Sequence, residues 1–333
     1  MSPKTRRVVV TQRFFDAATI AFLEANGCEV IVADLPPGQA DGDLAPEALH
    51  GLLTGADGWI VGHARVTHDL LAALPDLKVI SRRGVGYERI DLEAVRDLGR
   101  VACIAAGGND ASVADHAIAM MLALGRRFRE SQANMLSGNW SILMGSDLYR
   151  KTVGIIGLGR IGRSLVQRLQ GFEARILVHG AGRDPDYAAA NNIAHVSLSE
   201  LLAASDYVSL HAPLTPETRF LINAETLARM KPTAYLINTA RGGLVDDQAL
   251  LEALRNGTIA GAGLDTFMSE SDPDYRPVSE ALLALPNVVA TPHAAASSRE
   301  GLDRTNRVAA MNVVAVLDGE TPPAACVVAD GRA

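Results

Sequence analysis

Short β-branched and apolar runs alternate along this chain with stretches whose apolar positions recur at helical spacing. That alternation predicts an α/β protein built on parallel sheets. Residues 7–12 (RVVVTQ) predict a first strand, 14–26 a helix stopped by Gly27, and 29–35 a second strand. Strand-like runs recur at 59–62 and 78–82, each after a helical segment, so the first hundred residues form an open α/β unit of their own. Near 101–110 the pattern changes. Residues 112–127 then read as a helix that is apolar over more than one face, which predicts burial on most sides, within the chain or in a subunit interface.

A second α/β unit begins at Lys151. Strands are expected at 152–157, 174–179, 206–212, 233–240, 260–265 and 287–293. Helices are expected at 161–170 and after the capping-box spacing Ser197-Leu198-Ser199-Glu200. Residues 297–318 are helical and apolar on one face, and 327–333 read as a loose tail. No linker is Ser/Gly-rich, so ordered segments near 100–115 and 290–300 are expected to join the domains.

Composition narrows the class. The chain has 333 residues, 48% hydrophobic and 21% charged, which excludes a disordered chain. At about 150 residues per domain that length implies two domains. Lys plus Arg total 31 against 38 Asp plus Glu, a formal charge of −7, and no basic run is present, so nucleic acid is a poor partner. The longest apolar run, 117–124, falls far short of the roughly 20 residues that span a bilayer. The beginning, MSPKTRRVVVTQ, lacks the apolar core of a signal peptide. Cys28, Cys103 and Cys326 are scattered, with neither metal spacing nor a disulfide framework, and a reducing cytoplasm is the expected compartment.

The motif that carries most is Gly157-Leu158-Gly159-Arg160-Ile161-Gly162, which follows an expected strand and opens an expected helix. The first glycine permits the turn, the second lets backbone approach a pyrophosphate, and the third lets helix pack on strand. The helix start offers unpaired N–H groups and a positive dipole end to phosphate. A carboxylate for the ribose hydroxyls normally ends the next strand, but here that strand ends at Val178-His179-Gly180. Without the acid, Arg183, or a protonated His179, is free to pair with a 2′-phosphate. The cofactor reading is therefore NAD or NADP with a slight lean to NADP; the alternative is NAD held by backbone groups.

Arg241, Asp265, Glu270 and His293 all fall just beyond expected strands, where open α/β sheets bind ligands. Arg offers a bidentate fork to a carboxylate. Histidine suits proton transfer near neutrality, and a Glu on its other ring nitrogen sets the tautomer.

At this point the chain resembles the D-isomer-specific 2-hydroxyacid dehydrogenases, in particular their phosphoglycerate-dehydrogenase-like branch. The resemblance runs through ISRRGVGYERID (80–91), LYRKTVGIIGLGRIG (148–162), HAPLTPETR (211–219), MKPTAYLINTARGGLVD (230–246), AGAGLDTF (260–267) and TPH (291–293). It implies two Rossmann-like open parallel-sheet domains, with a dinucleotide-binding domain (104–293) inserted into a discontinuous substrate-binding domain (1–103 and 294–333). It implies hydride transfer between NAD(P)(H) and a small D-2-hydroxy or 2-oxo acid, of glyoxylate, hydroxypyruvate, phosphoglycerate or sugar-acid type. His293 would be the acid/base, Glu270 its orienting partner, and Arg241 the grip on carboxylate and reacting oxygen. Gly157, Gly159, Arg160, Ile161, Gly162, Gly180, Arg183, His211, Pro213, Thr239, Ala240, Arg241, Asp265 and His293 would line the cofactor, with Asp265 near its nicotinamide end. Val85, Gly86 and Tyr87, through backbone amides, and Arg65 would hold the substrate with Arg241. A homodimer joined through the cofactor domain is also implied.

Some positions depart from the family pattern. Gly180 replaces the acid, Ser271 stands where a proline commonly follows the catalytic Glu, and in Gly62-His63-Ala64-Arg65 only Arg65 remains as a cation. A non-catalytic, nucleotide-sensing protein like the dehydrogenase-like corepressors stays open as the alternative.

Overall fold

The computed structural model describes residues 5–180, 182 and 184–332. Arg183, singled out above, lies outside the described residues. Strands β1 (Arg6–Val10), β2 (Cys28–Val32), β3 (Gly58–Val61), β4 (Val79–Arg82) and β5 (Val101–Ile104) come first. Then follow β6 (Thr152–Ile156), β7 (Arg175–His179), β8 (Ile193–His195), β9 (Tyr207–Leu210), β10 (Tyr235–Asn238), β11 (Gly261–Leu264) and β12 (Val288–Ala290), and β13 (Val327–Asp330) closes the chain. The chain divides into two compact units, one of residues 1–109 with 296–333 and one of residues 110–295.

In the first unit the strand order is β13-β5-β4-β3-β1-β2, parallel except for β13. Both faces of the sheet are covered. Val9 of β1 enters one apolar cluster with Trp59, Val61 and Ile80, while Val8 and Val10 enter another with Ile60, Val79 and Val313. Alternating side chains that are all buried explain why β1 reads as an unbroken VVV run. Each fully buried aliphatic side chain contributes about 1.5–3 kcal/mol.

The expected loose tail is a correction. Val327 and Asp330 pair antiparallel with Cys103 and Val101, across a register shift, and Ala329 is buried. The amide of Ile104 donates to the Cys326 carbonyl at 2.8 Å. Without this strand β5 would be an open edge.

In the second unit the order is β12-β11-β10-β9-β6-β7-β8, parallel throughout. The chain runs outward from β6 to β8, then returns to start β9 on β6's other side. That reversal places a switch point, and hence a crevice, at the carboxyl ends of β6 and β9.

The apolar helix runs Asp110–Gly125 rather than to Arg127. It packs on the helix Arg160–Leu169 and on β10, β11 and β12 of its own unit. Val113, Ala117, Met120, Met121 and Leu124 are buried there, so packing within the chain accounts for its apolar breadth. Arg127 breaks it by turning left-handed (φ 52), and a second helix, Phe128–Leu136, follows with no buried residue.

Candidate active site

The second unit's crevice is built from glycine. Gly157, directly after β6, has φ +99, and a Cβ there would lie 2.7 Å from the His211 carbonyl and the Ala212 amide that follow β9. A Cβ on Gly162 would meet the Gly157 carbonyl at 2.3 Å. A Cβ on Gly159 would meet nothing within 4 Å, so open space lies beside that backbone. Gly159 caps the helix Arg160–Leu169 without a side-chain bond, and the first turn holds no acid. Among the described residues, the first amide of this helix to find a partner is that of Arg163, on the Gly159 carbonyl at 2.9 Å. Arg160 and Ile161 therefore sit where bare amides and a positive dipole end face open space, a site suited to pyrophosphate.

Around this loop, Thr239 follows β10 with a buried hydroxyl that has no protein partner. Its neighbour Ala240 donates its amide to Asn238 Oδ1 at 3.1 Å. Pro213 is exposed. His211 accepts or donates at Nε2 with Ser209 Oγ (2.8 Å), and desolvation pushes it down to about 4, so it is a neutral wall rather than a proton carrier. Gly180 has φ +142, a conformation side chains rarely adopt, and lies against Gly157. Thus a dinucleotide fits this crevice on glycine spacing, bare amides and an orphaned threonine hydroxyl.

The candidate chemistry gathers on the same sheet edge. Arg241 follows β10, Asp265 follows β11, Glu270 closes the turn Met268–Glu270, and His293 follows β12. His293 Nδ1 lies 2.7 Å from Glu270 Oε2. A carboxylate only accepts, so Nδ1 carries the hydrogen and Nε2 is left for a substrate oxygen. Desolvation would raise the Glu270 pKa, but the His293 hydrogen bond and charge, the Phe267 amide and the charge of Arg241 outweigh it and hold it below its ordinary value. Glu270 therefore stays ionised beneath the imidazole.

Two residues that orient this group gave no signal in the sequence reading. Asn238 Nδ2 donates to the Arg241 carbonyl at 2.9 Å. Asp247 accepts the Met268 amide at 3.1 Å and so anchors the turn that carries Glu270. Gly242 explains part of the ARGG motif, since a Cβ there would lie 2.2 Å from the Phe267 carbonyl carbon. Asp265 is fully buried, and its carboxylate is turned toward the His293 loop.

In the first unit, Val85, Gly86 and Tyr87 follow β4. Arg82 Nε donates to the Gly86 carbonyl at 2.8 Å, and the Ile90 amide closes the turn on the Tyr87 carbonyl. Among the described residues, the amides of Val85 and Gly86 donate to no acceptor, which leaves them for an anion. Arg65 is exposed beyond β3. Arg83, missed in the sequence, is a half-buried guanidinium pushed down to about 10 by burial. Among the described residues its hydrogen bonds go to neutral acceptors, the Arg13 carbonyl (2.7 Å) and Asn306 Oδ1 (3.5 Å), and the charge of Asp41 only partly offsets the burial.

Comparison with known proteins follows the same lines. Residues 118–295 match the profile of the D-isomer specific 2-hydroxyacid dehydrogenase, NAD binding domain. The chain is 40% identical over 261 residues to a glyoxylate reductase of Korarchaeum cryptofilum, covering 77% of each. It is 39% identical over 279 residues to a D-3-phosphoglycerate dehydrogenase of Mycobacterium bovis, covering 83% of this chain and 52% of that longer protein. The chain thus spans about half the length of that relative. Among solved structures, the TT0316 protein of Thermus thermophilus superposes with TM-score 0.84 at 37% identity, covering 97% of this chain and 99% of the other.

Proposed function

This chain belongs to the D-isomer-specific 2-hydroxyacid dehydrogenase family, and on that premise we propose which residues carry the hydride transfer and what acid it acts on. The observation that carries the reading is the His293–Glu270 pair at 2.7 Å, with Nε2 left free. In the reducing direction His293 gives a proton to the substrate oxygen from Nε2; in the oxidising direction it takes that proton back. Glu270 holds the ring and stabilises its charged form. Arg241 grips the substrate carboxylate and polarises the reacting oxygen. A dinucleotide whose pyrophosphate is held at Gly157 to Gly162 would supply or accept the hydride at its nicotinamide.

The substrate class we assign is a small 2-oxo acid of glyoxylate or hydroxypyruvate type. Within the loop 62–65 Arg65 is the one cation, and this favours an unphosphorylated acid over phosphoglycerate. The cofactor is of the NAD type. The lean toward NADP rested on the missing acid at 180. Since φ +142 at Gly180 already explains a glycine there, we read NADP as accepted rather than selected.

We further propose a homodimer. Leu136 (81% exposed), Trp140 (76%), Ile142 (95%) and Met144 (85%) form an apolar stretch of a kind that soluble monomers seldom leave in water. Light scattering that returned a monomer at micromolar concentration would remove this reading. Cys28, Cys103 and Cys326 are free and buried.

The deciding experiment follows the absorbance of reduced nicotinamide with NADH and NADPH side by side over a panel of 2-oxo acids. Wild-type protein is expected to turn over at least one of them. His293→Ala should lower kcat by about 10²–10⁴-fold with dinucleotide affinity nearly unchanged. Lost affinity with a modest loss of rate would contradict the assignment.

A further inference from the structure

His293 sits in a strained place. Its φ of 52 puts a bulky side chain in the left-handed region, and such strain persists only where surroundings impose it. The surroundings here are one buried carboxylate. Asp265 Oδ1 accepts the Ala294 amide at 2.7 Å and Oδ2 accepts the Ala295 amide at 3.0 Å. The Asp265 carbonyl accepts the His293 amide itself at 2.8 Å. The two residues after His293 are thus tied to the same residue as its own backbone.

A further group completes the arrangement. The Thr291 hydroxyl donates to Asp265 Oδ1 at 2.5 Å. Its hydrogen is spent there, so its oxygen accepts from His116 Nε2, 2.9 Å away, and His116 must carry its hydrogen on Nε2. His116 comes from the helix Asp110–Gly125. Its Nε2 is also 3.8 Å from Asp265 Oδ1, and no Lys or Arg forms an ion pair with Asp265 among the described residues. A buried carboxylate is tolerated only when hydrogen-bonded throughout, and this one spends both oxygens on the His293 loop and its neighbour.

We propose that His116 and Thr291 are positioning residues for His293, acting through Asp265, whose carboxylate locks the loop that presents the imidazole. This deepens the functional reading above and rests on it. The chain His116 Nε2–H to Thr291 O–H to Asp265 aligns the carboxylate with the 294 and 295 amides. Those bonds keep His293 in its left-handed turn, with Nδ1 on Glu270. Neither His116 nor Thr291 needs to touch substrate. A displacement of about 1 Å in a reacting group costs on the order of a hundredfold in rate, so loosening this lock should appear in kcat.

The test compares Thr291→Val, which keeps the shape and removes both hydrogen bonds, with Thr291→Ser, which restores the hydroxyl. It compares His116→Phe with His116→Gln in the same way, because glutamine keeps an N–H for Thr291. Thr291→Val and His116→Phe are expected to lower kcat about tenfold to a hundredfold, with NADH affinity and melting temperature held within about threefold and about two degrees. The serine and glutamine variants are expected to regain most of the rate. A second readout does not depend on turnover: the downfield proton resonance of His293 Nδ1–H, assigned by its loss in His293→Ala, should broaden or vanish in Thr291→Val. An unchanged kcat and resonance in Thr291→Val and His116→Phe would overturn the proposal. So would parallel loss of rate, nucleotide affinity and melting temperature without rescue by serine or glutamine. Wild-type protein idle on every 2-oxo acid would instead remove the functional reading, and the resonance would still decide the positioning.

Discussion

The two units share one architecture and put it to opposite uses at the corresponding place. Each sheet reverses its strand order next to its first strand, β1 beside β3 and β6 beside β9, and each reversal opens a crevice at the carboxyl ends. In the second unit glycines line that crevice and the helix start is bare. In the first unit it is filled from within. Asp41 accepts the Gly62 amide at 2.7 Å, the His63 amide at 2.6 Å and the Thr11 hydroxyl at 2.8 Å. The Gln12 amide lies so close that a Cβ on Gly62 would fall 1.5 Å from its nitrogen. The first helix likewise carries its own anion, since the Asp16 carboxylate accepts the Thr19 amide at 2.7 Å. A sheet of this kind offers backbone donors at its switch point. Whether they bind a ligand depends on whether the chain has already supplied a carboxylate.

The largest effect should come from emptying the filled crevice. Asp41→Ala strands two backbone donors and the Thr11 hydroxyl, to which Trp59 Nε1 also donates at 2.9 Å. At about 1–3 kcal/mol for each buried group left unpaired, a loss of about 3–5 kcal/mol in stability is expected, read by denaturant unfolding. Dinucleotide affinity of the surviving folded protein should not change. A loss under about 1 kcal/mol would show that Asp41 is not what fills the first crevice.

The converse change fills the empty one. Gly159 has φ −76 and ψ −162, and a Cβ there is unobstructed, so Gly159→Asp is compatible with the backbone. It would give the second unit the carboxylate cap that the first unit has. NADH affinity should fall by at least about a hundredfold, near 2.7 kcal/mol, while melting temperature holds or rises with the new cap. Retained affinity would mean that the bare helix start is not the phosphate site.

This contrast also marks what the primary structure could disclose. The glycine loop was legible because each glycine answers to a contact a few residues away or on the next strand. Arg241 and His293 could be singled out because each sits in a contiguous motif, and Glu270 because it follows Asp265 by five residues; the structure brings Glu270 and His293 together. The β13 strand was not, because Val327 owes its conformation to Cys103, more than two hundred positions earlier, and a four-residue run carries no period of its own. The break at Arg127 was hidden because Arg126 and Arg127 are ordinary helix formers and only the backbone turn at φ 52 ends the helix. His116 was hidden for a similar reason: a polar residue within a largely buried helix has no visible purpose until folding sets Thr291 beside it.

The smallest effect should come from Asp16, and it separates charge from capping. Its carboxylate accepts from the Thr19 amide and hydroxyl and from Asn306 Nδ2 at 2.9 Å. Burial pushes its pKa up, but those hydrogen bonds outweigh burial and leave it below the usual 3.8. A folded-state pKa below the unfolded one means that the unfolded chain binds the proton more readily. The carboxylate thus adds stability that is fully present above pH 4 and drains away as pH falls through the depressed value. Asp16→Ala should cost about 1 kcal/mol at neutral pH, the ordinary worth of a helix cap, with no effect on nucleotide binding in the other unit. Asp16→Asn keeps an oxygen for the Thr19 amide but has no proton to gain. It should retain most of the cap and lose the share of acid sensitivity that Asp16 contributes, seen as a flatter melting temperature between pH 5 and pH 3. Were the asparagine variant as acid-sensitive as wild type, the first helix would be held by geometry alone, and the anion at its start would not be what distinguishes it from the bare helix of the second unit.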